Sequence, residues 1–157
     1  MIVVADTTPL NHLALIGEIE LLPALYETIL IPLEVHRELL RAETPAPVRT
    51  WAESLPLWCE VRRVTSIPDR ALSELDAGER DAILLALEAN ADTLLIDDSE
   101  GRREAKRRKL LVTGTLGVLE KAAQRGWIDF HATLDRLEQT TFRLSAALRE
   151  EFLKRNP

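Results

Sequence analysis

Short apolar runs recur along the chain, and stretches with helical spacing of apolar residues separate them. The runs are rich in β-branched residues, as strands buried in a parallel sheet are. They lie at residues 2–5, 28–31, 58–64, 93–96 and 110–112, and the run at 58–64 is placed near a sheet edge. Strands that alternate with helices predict right-handed crossovers and a mostly parallel sheet covered by helices on both faces. We therefore expect an α/β fold.

The helices between these runs differ in how far their apolar residues spread around the helix. The stretch 82–87 is apolar all round, so the helix that opens at Asp76 is predicted to be buried. Other helices are predicted at 10–15, 19–26, 33–40, 48–55, 68–75 and 99–109, followed by one ending near residue 125 and two at the end of the chain. The proline-rich stretch 42–56 is interpreted as a surface excursion, because the apolar pattern resumes at once. One domain over residues 1–157 is expected.

The first strand ends on an acid. Asp6 follows the apolar run, and Thr7, Thr8 and Pro9 then supply the cap-and-proline signal of a helix start. Asp6 is thus predicted at the carboxyl end of a strand, the edge where open α/β sheets bind their ligands. The alternative is that Asp6 only caps the next helix.

Other carboxylates occupy comparable positions. Asp97 and Asp98 end the fourth run, Glu38 lies in the helix after the second run, and Asp81 sits at the mouth of the buried helix. Because the carboxyl ends of adjacent parallel strands are neighbours, Asp6 is expected to meet the Asp97/Asp98 pair. Several carboxylates in close contact cannot all stay ionised without a cation, and oxygen ligands suit Mg²⁺ or Mn²⁺. Such ions assist phosphodiester cleavage.

Each acid also has a purely structural interpretation. Glu79 lies three residues after Asp76, which is the spacing of a capping box. Asp81 suits the positive end of the helix macrodipole, and either Asp97 or Asp98 suits the N-cap of the following helix. The spacing leaves these alternatives open.

Composition narrows the class of protein. The chain has 157 residues, of which 46% are hydrophobic and 29% charged, as in ordinary globular domains. No apolar run is long enough to span a membrane and no leader pattern is present, so no membrane partner is expected. A single cysteine, Cys59, excludes an internal disulfide and indicates a reducing, cytoplasmic setting. The net charge of −6 means that nucleic-acid binding requires a local basic patch.

A dense cationic run follows Asp98. Spacing of three and four residues places Arg102, Lys106 and Lys109 on one face of the predicted helix. This face is predicted to bind RNA phosphates, and the alternative is a solvated helix surface. The three histidines, at positions 12, 36 and 131, are scattered and are given no catalytic role.

Taken together, several motifs resemble the PIN-domain superfamily, specifically PIN-like proteins of the DUF3368 type, which are related to the toxin ribonucleases of toxin–antitoxin pairs. The motifs lie at residues 4–10 (VADTTPL), 31–39 (IPLEVHREL), 75–83 (LDAGERDAI), 94–98 (LLIDD), 101–103 (GRR), 113–119 (TGTLGVL) and 142–145 (FRLS). The resemblance covers nearly the full length. It implies a three-layer α/β/α sandwich with a mostly parallel four- to five-stranded sheet, and a Mg²⁺- or Mn²⁺-dependent endoribonuclease site.

The resemblance also implies roles for individual acids. The implied catalytic set is Asp6, Glu38, Asp81, Asp97 and Asp98. All of these except Glu38 are implied metal ligands, with water attacking phosphorus in line. Glu79 competes with Asp81 for the third position, the fourth falls on either member of the aspartate pair, and Thr7 offers a hydroxyl near the metal.

Partners follow from the same resemblance. It implies an RNA substrate, a homodimer and a small antitoxin protein that occludes the acidic groove. The alternatives are a PIN-like module that binds a partner without cleaving anything, and a housekeeping metal-dependent nuclease.

Overall fold

A computed structural model describes residues 1–157. Its strands are β1 (Val3–Ala5), β2 (Ile29–Pro32), β3 (Cys59–Arg62), β4 (Thr93–Leu95) and β5 (Val112–Thr113). All neighbouring pairs are parallel, and the strand order is β3-β2-β1-β4-β5. The strand β1 is therefore central and β3 is an edge, as the sequence predicts.

Helices connect every pair of successive strands. They are α1 (Thr7–Leu15), α2 (Leu21–Tyr26), α3 (Leu33–Leu39), α4 (Ala46–Glu53), α5 (Arg70–Ser73), α6 (Ala77–Glu88), α7 (Ser99–Arg107), α8 (Thr115–Gln124), α9 (Phe130–Glu138) and α10 (Ala146–Arg155). No helix is long and apolar enough to cross a membrane.

Side chains of the central strand alternate between two hydrophobic cores. Val3 and Ala5 contribute to the core on one face, which is filled by residues of α1 to α4, α8 and α9. Val4 contributes to the core on the other face, which contains the buried side of α6 and Ala105 of α7. Since successive side chains of a strand point to opposite faces, the sheet separates two helical layers. The predicted α/β/α sandwich is confirmed.

Some predicted boundaries are wrong. The first helix begins at Thr7 rather than Leu10, directly after Asp6. The basic helix α7 ends at Arg107, and Lys109 adopts a left-handed backbone conformation with φ of 65°. Lys109 therefore does not share a helical face with Arg102, contrary to the spacing argument.

Candidate active site

Acids from several elements meet at the carboxyl edge of the sheet. Asp6 directly follows β1, is only 2% exposed, and donates its backbone N–H to the Leu95 carbonyl at 2.9 Å. This bond joins the ends of β1 and β4, so the strand pairing itself brings Asp6 close to Asp97 and Asp98. The sequence prediction that these strand ends meet is confirmed for the backbone.

Glu38 reaches the same edge from α3. One of its carboxylate oxygens, Oε1, accepts a hydrogen bond from the Gly78 backbone N–H at 3.0 Å, and Oε2 accepts one from the Thr7 hydroxyl. A Cβ on Gly78 would lie 2.6 Å from Oε1, so only glycine permits this approach. The first turn of α6 and the first residue of α1 thus fix the Glu38 carboxylate.

Asp97 is held by the start of α8. The Thr115 backbone N–H and hydroxyl donate to its two carboxylate oxygens at 2.7 and 2.6 Å. A Cβ on Gly114 would lie 2.7 Å from Asp97 Oδ1. Gly114 and Thr115 belong to the motif at residues 113–119, but no pattern along the chain indicates that they hold Asp97.

Asp98 serves as the N-cap of α7. Its side chain accepts a hydrogen bond from the Gly101 backbone N–H at 2.9 Å. The open question of which aspartate caps the helix is therefore answered by Asp98, but its charge also acts on Asp6 and Glu79.

Two acids of the cluster, Asp6 and Glu79, have pKa values well above those of ordinary carboxyl groups. Burial, together with the charges of Glu38, Asp97 and Asp98, raises the pKa of Asp6 to about 7, although the Thr7 backbone N–H opposes the shift. Burial, with the charges of Asp98 and Asp6 as the next causes, raises the pKa of Glu79 to about 8. Both shifts express the cost of ionising a carboxylate beside others in a partly dry cleft.

The structure places Glu79, rather than Asp81, among these acids. Asp81 accepts a hydrogen bond from Arg80 Nε at 2.9 Å, and the carboxylates that raise the pKa of Asp6 and Glu79 are others. Asp76 is the N-cap residue of α6, but its side chain makes no capping hydrogen bond. Glu79 thus lines the cleft and Asp81 is paired with Arg80, and the choice between them as a metal ligand stays a prediction.

The basic helix contributes one cation to the cleft. Arg102 lines it and donates from Nη1 to the Ile96 carbonyl at 2.9 Å, whereas Lys106 and Lys109 are exposed and do not line it. Arg107 and Arg108 pair with Glu104 instead. Only Arg102 of the predicted RNA-binding residues thus lies beside the acids.

A cleft of about 790 Å³ extends from the acids toward the C-terminal part of the chain. Glu79, Asp97, Asp98 and Arg102 line one end. His12 also lines it and was not assigned a role from the sequence, because its neighbours come from distant positions. It is 6% exposed, and neither ring nitrogen has a hydrogen-bond partner of ordinary geometry.

His12 lies between an acid and an aromatic ring. Its Nδ1 is 4.0 Å from Asp97 Oδ2, which is too long for a hydrogen bond, and its ring packs edge-on against Phe142. Burial lowers the pKa of His12, although Asp97 and the Thr8 backbone act in the opposite direction.

The chemistry of the acids fits a hard divalent cation. Their donors are all carboxylate oxygens, the ligands that Mg²⁺ and Mn²⁺ prefer. No group of three or more His, Cys, Asp or Glu side chains is arranged to hold a metal ion. Since Mg²⁺ commonly binds one or two carboxylates and keeps several waters, the donor set fits such an ion, but there is no complete protein cage.

These features define a class of protein: a doubly wound α/β domain with a carboxylate cluster at the carboxyl edge of its central strands. The model of the family DUF3368, described as a PIN domain, matches residues 2–156, and the chain belongs to this family. Proteins with PIN domains are typically nucleases, and those nucleases usually use divalent metals.

A solved structure supports the fold independently. A PilT N-terminus domain protein from the hyperthermophilic archaeon Sulfolobus solfataricus P2 aligns with a TM-score of 0.52 and 15% sequence identity. The alignment covers 92% of this chain and 100% of that chain. No curated protein matches the chain.

Proposed function

We propose that this protein is a Mg²⁺- or Mn²⁺-dependent endoribonuclease that cleaves phosphodiester bonds in RNA. The observation that carries the proposal is the meeting of five carboxylates, from the ends of β1 and β4, the end of α3 and the starts of α6 and α7, at the carboxyl edge of the sheet. These carboxylates are Asp6, Glu38, Glu79, Asp97 and Asp98. Such a concentration of negative charge is costly to the fold and is expected only where a cation binds.

The acids differ in the role that each is suited to. Asp6 and Glu79 are the carboxylates that a cation would stabilise most, because burial and, after it, neighbouring charges raise their pKa values. Glu38 and Asp97 are fixed by backbone and hydroxyl donors, so they are suited to hold the surrounding geometry. A bound divalent ion would supply Lewis acidity toward phosphate oxygen and lower the pKa of water.

Arg102 is suited to bind the phosphate. It lies beside the acids, with one nitrogen donating to the Ile96 carbonyl and no carboxylate bonded to the guanidinium. Replacing Arg102 by Ala should weaken RNA binding and reduce the slope of its salt dependence by about 1. Lys106→Ala is the matched control on the same helix, and equal slopes for the two variants would remove Arg102 from the phosphate site.

Cleavage of a labelled single-stranded RNA, with and without Mg²⁺ or Mn²⁺, tests the proposal. Asp6→Asn should lower the rate by about 100- to 1,000-fold, the range found for removing one preorganised electrostatic group. Asp135→Asn, at an exposed aspartate outside the cleft, should cleave like wild type. Cleavage that survives EDTA, or that is equal in Asp6→Asn and wild type, would overturn the assignment.

A second candidate is a module that binds a partner without cleaving RNA. The observation that favours it is the lack of three side chains arranged to hold a metal ion. Isothermal titration with Mn²⁺ separates the two candidates. Saturable binding that Asp6→Asn abolishes supports the nuclease, and the lack of binding at millimolar Mn²⁺ supports the module.

Within the nuclease proposal, we further propose that the protein is the toxin of a toxin–antitoxin pair, acts as a homodimer and is neutralised by a small protein. The resemblance to toxin ribonucleases supports this, and an acidic cleft attracts an inserted Arg or Lys from a partner. Expression should inhibit growth in wild type but not in Asp6→Asn, and co-expression of the gene upstream should restore growth. A harmless wild-type protein would favour a housekeeping nuclease.

Two aromatic side chains that a partner protein could contact, Trp51 of α4 and Phe152 of α10, are already packed within the fold. Trp51 packs against Trp58 with ring centroids 5.9 Å apart, and Phe152 stacks on Phe130 at 6.3 Å. These rings pack against the core of one helical layer. Light scattering should report a dimer, and a monomer at micromolar concentration would exclude the homodimer.

A further inference from the structure

The cleft continues well beyond the acids. Its far part lies between one face of α8 and one face of α10, where Gly117, Lys121 and Gln124 oppose Leu148 and Phe152. Phe142, in the irregular segment between α9 and α10, lines it as well. A phosphodiester bound at the acids has nucleosides on both sides. One of these nucleosides would therefore extend into this part of the cleft.

Phe142 has the features of a stacking platform. Its ring packs against the core and stays partly exposed at the cleft. Its backbone N–H donates to the Thr140 hydroxyl at 3.1 Å. Phe142 lies outside any helix or strand, at the side of the cleft nearest His12. An aromatic ring in such a position stacks on any base, since every base has a π-face.

His12 supplies directional hydrogen bonds that the folded protein leaves unused. The Thr8 backbone and Asp97 lie near the ring, but neither forms a hydrogen bond of ordinary geometry with it. A buried imidazole without such bonds costs stability, so a partner is expected in the bound state. Each nitrogen of an imidazole donates or accepts a hydrogen bond, and the edge of a nucleobase offers partners of both kinds. Phe142 packs edge-on against the imidazole, and both side chains line the cleft, so a base stacked on Phe142 lies next to His12.

Cations along the cleft are left without carboxylate partners. Arg143 donates to the Thr140 and Phe142 carbonyls at 2.8 and 3.0 Å, and Lys121 contacts the Tyr26 hydroxyl at 3.3 Å. Arg155, by contrast, pairs with Glu120. Arg102 at one end and Arg143 farther along thus provide positive charge for successive phosphates.

We propose that this part of the cleft is a subsite for the nucleotide adjoining the cleaved phosphate, in which Phe142 stacks on the base and His12 hydrogen-bonds to its edge. The proposal deepens the nuclease assignment and rests on it. Phe142 contacts the face of the base and His12 contacts its edge. The base must therefore be unpaired, so the RNA is single-stranded at this nucleotide. His12 and Phe142 together then set the base preference of the site.

Binding of labelled hexaribonucleotides in EDTA tests the subsite without cleavage. The probes are fluorescein-labelled A₆, C₆ and U₆, measured by fluorescence anisotropy. Phe142→Ala should weaken binding of every probe by about 10-fold, as loss of one base stack does, and Phe142→Trp should restore it. Trp127→Ala is the matched control, since Trp127 is also an exposed aromatic but does not line the cleft.

His12 is tested by two substitutions with opposite chemistry. His12→Leu fills the space without polar atoms, so the protein should fold at least as stably while the Kd values of the three probes converge. In wild type, the Kd values of the best and worst probes should differ by about 10-fold, the size expected for one good hydrogen-bonded contact. In His12→Leu this ratio should fall toward one. His12→Gln retains a donor and an acceptor and should keep part of the preference.

The outcomes separate this inference from the nuclease assignment. Unchanged probe affinities in Phe142→Ala, or an unchanged order of probes in His12→Leu, would overturn the subsite, as would a wild-type protein that binds none of the probes. Cut positions on a long RNA are mapped in parallel with Mg²⁺ or Mn²⁺. Metal-dependent cleavage with the same flanking bases in all variants would leave the nuclease standing and remove the subsite. Altered probe binding without any cleavage would retain the subsite and remove the nuclease.

Discussion

Two kinds of carboxylate share the cleft, and they differ in how the protein holds them. Glu38 and Asp97 each accept hydrogen bonds from one backbone N–H and one threonine hydroxyl, beside glycines that leave room for the carboxylate. Asp6 and Glu79 have no such side-chain donors, and burial with neighbouring charges raises their pKa values to about 7 and 8. The negative charges of Glu38 and Asp97 are thus stabilised by hydrogen bonds within the folded chain, whereas those of Asp6 and Glu79 are not stabilised in this way.

The difference indicates where a cation would act. Hydrogen bonds to an ionised carboxylate stabilise its charged form, so Glu38 and Asp97 are set in place before any ligand binds. Asp6 and Glu79 retain unfavourable charge, which a bound cation would relieve. Glu38 and Asp97 would thus set the geometry of a cation site, and Asp6 and Glu79 would provide most of the affinity for the cation.

The largest expected effect concerns the pH dependence of the metal-free protein. A carboxyl with a raised folded-state pKa binds protons more tightly in the folded than in the unfolded chain, so stability falls as pH rises. For Asp6, between its ordinary value near 4 and about 7, the loss is up to about 4 kcal/mol, at about 1.4 kcal/mol per pKa unit. Urea unfolding in EDTA at pH 5 and pH 8 measures the part of this loss that lies above pH 5, about 2.7 kcal/mol for about two pKa units.

The variant Asp6→Asn is the control for this prediction. It removes the titrating group, so the free energy of unfolding should change less between pH 5 and pH 8 than in wild type. An unfolding free energy in wild type that increases over this interval would contradict the assignment of the unsatisfied charge to Asp6.

Cation binding should produce the next largest effect. A ligand that binds only the folded state stabilises it by about 2.7 kcal/mol at a concentration 100 times its Kd. Mn²⁺ at millimolar concentration should therefore raise the melting temperature at pH 8, and Asp6→Asn should lose most of that gain. If Mn²⁺ raises the melting temperature of Asp6→Asn as much as that of wild type, Asp6 is not a ligand.

A third prediction concerns the hydrogen bond that the buried Thr115 donates to Asp97. Thr115→Val removes the hydroxyl that donates to Asp97 at 2.6 Å and should cost about 2 kcal/mol, as hydrogen bonds to charged groups do. The buried Thr133 donates to a neutral carbonyl, that of Asp129, at 2.8 Å. Thr133→Val should cost about 1 kcal/mol, and equal unfolding free energies for the two variants would show that Asp97 is not held through the hydroxyl.

The smallest effect is expected at Asp81. Its partly exposed pair with Arg80 is worth about 0.5 kcal/mol, as surface ion pairs usually are. Asp81→Asn should therefore change stability little and leave Mn²⁺ affinity unchanged, whereas Glu79→Gln should weaken it. A loss of Mn²⁺ affinity in Asp81→Asn, with none in Glu79→Gln, would restore Asp81 to the metal site.

Much of the fold could be predicted from the sequence, because it depends on local patterns. Buried β-branched runs and helical spacing gave the order of strands and helices, and the resemblance gave the architecture. The position of Asp6 and of the Asp97/Asp98 pair at strand ends was also predicted, since parallel strands place their carboxyl ends at one edge. Helix ends were less accurate: α7 stops at Arg107, which separates Lys109 from the face of Arg102.

The tertiary structure decided which of several nearby residues face the cleft. Glu79 and Asp81 are two positions apart on α6, about 200° around the helix axis, so only one of them faces the cleft. The packing of α6 against the sheet decides in favour of Glu79. Asp97 acquires its donors from Thr115, and His12 acquires its aromatic neighbour Phe142, only when distant parts of the chain pack together. Spacing along one helix or strand cannot specify such contacts, because they depend on the rotation and packing of elements far apart in sequence.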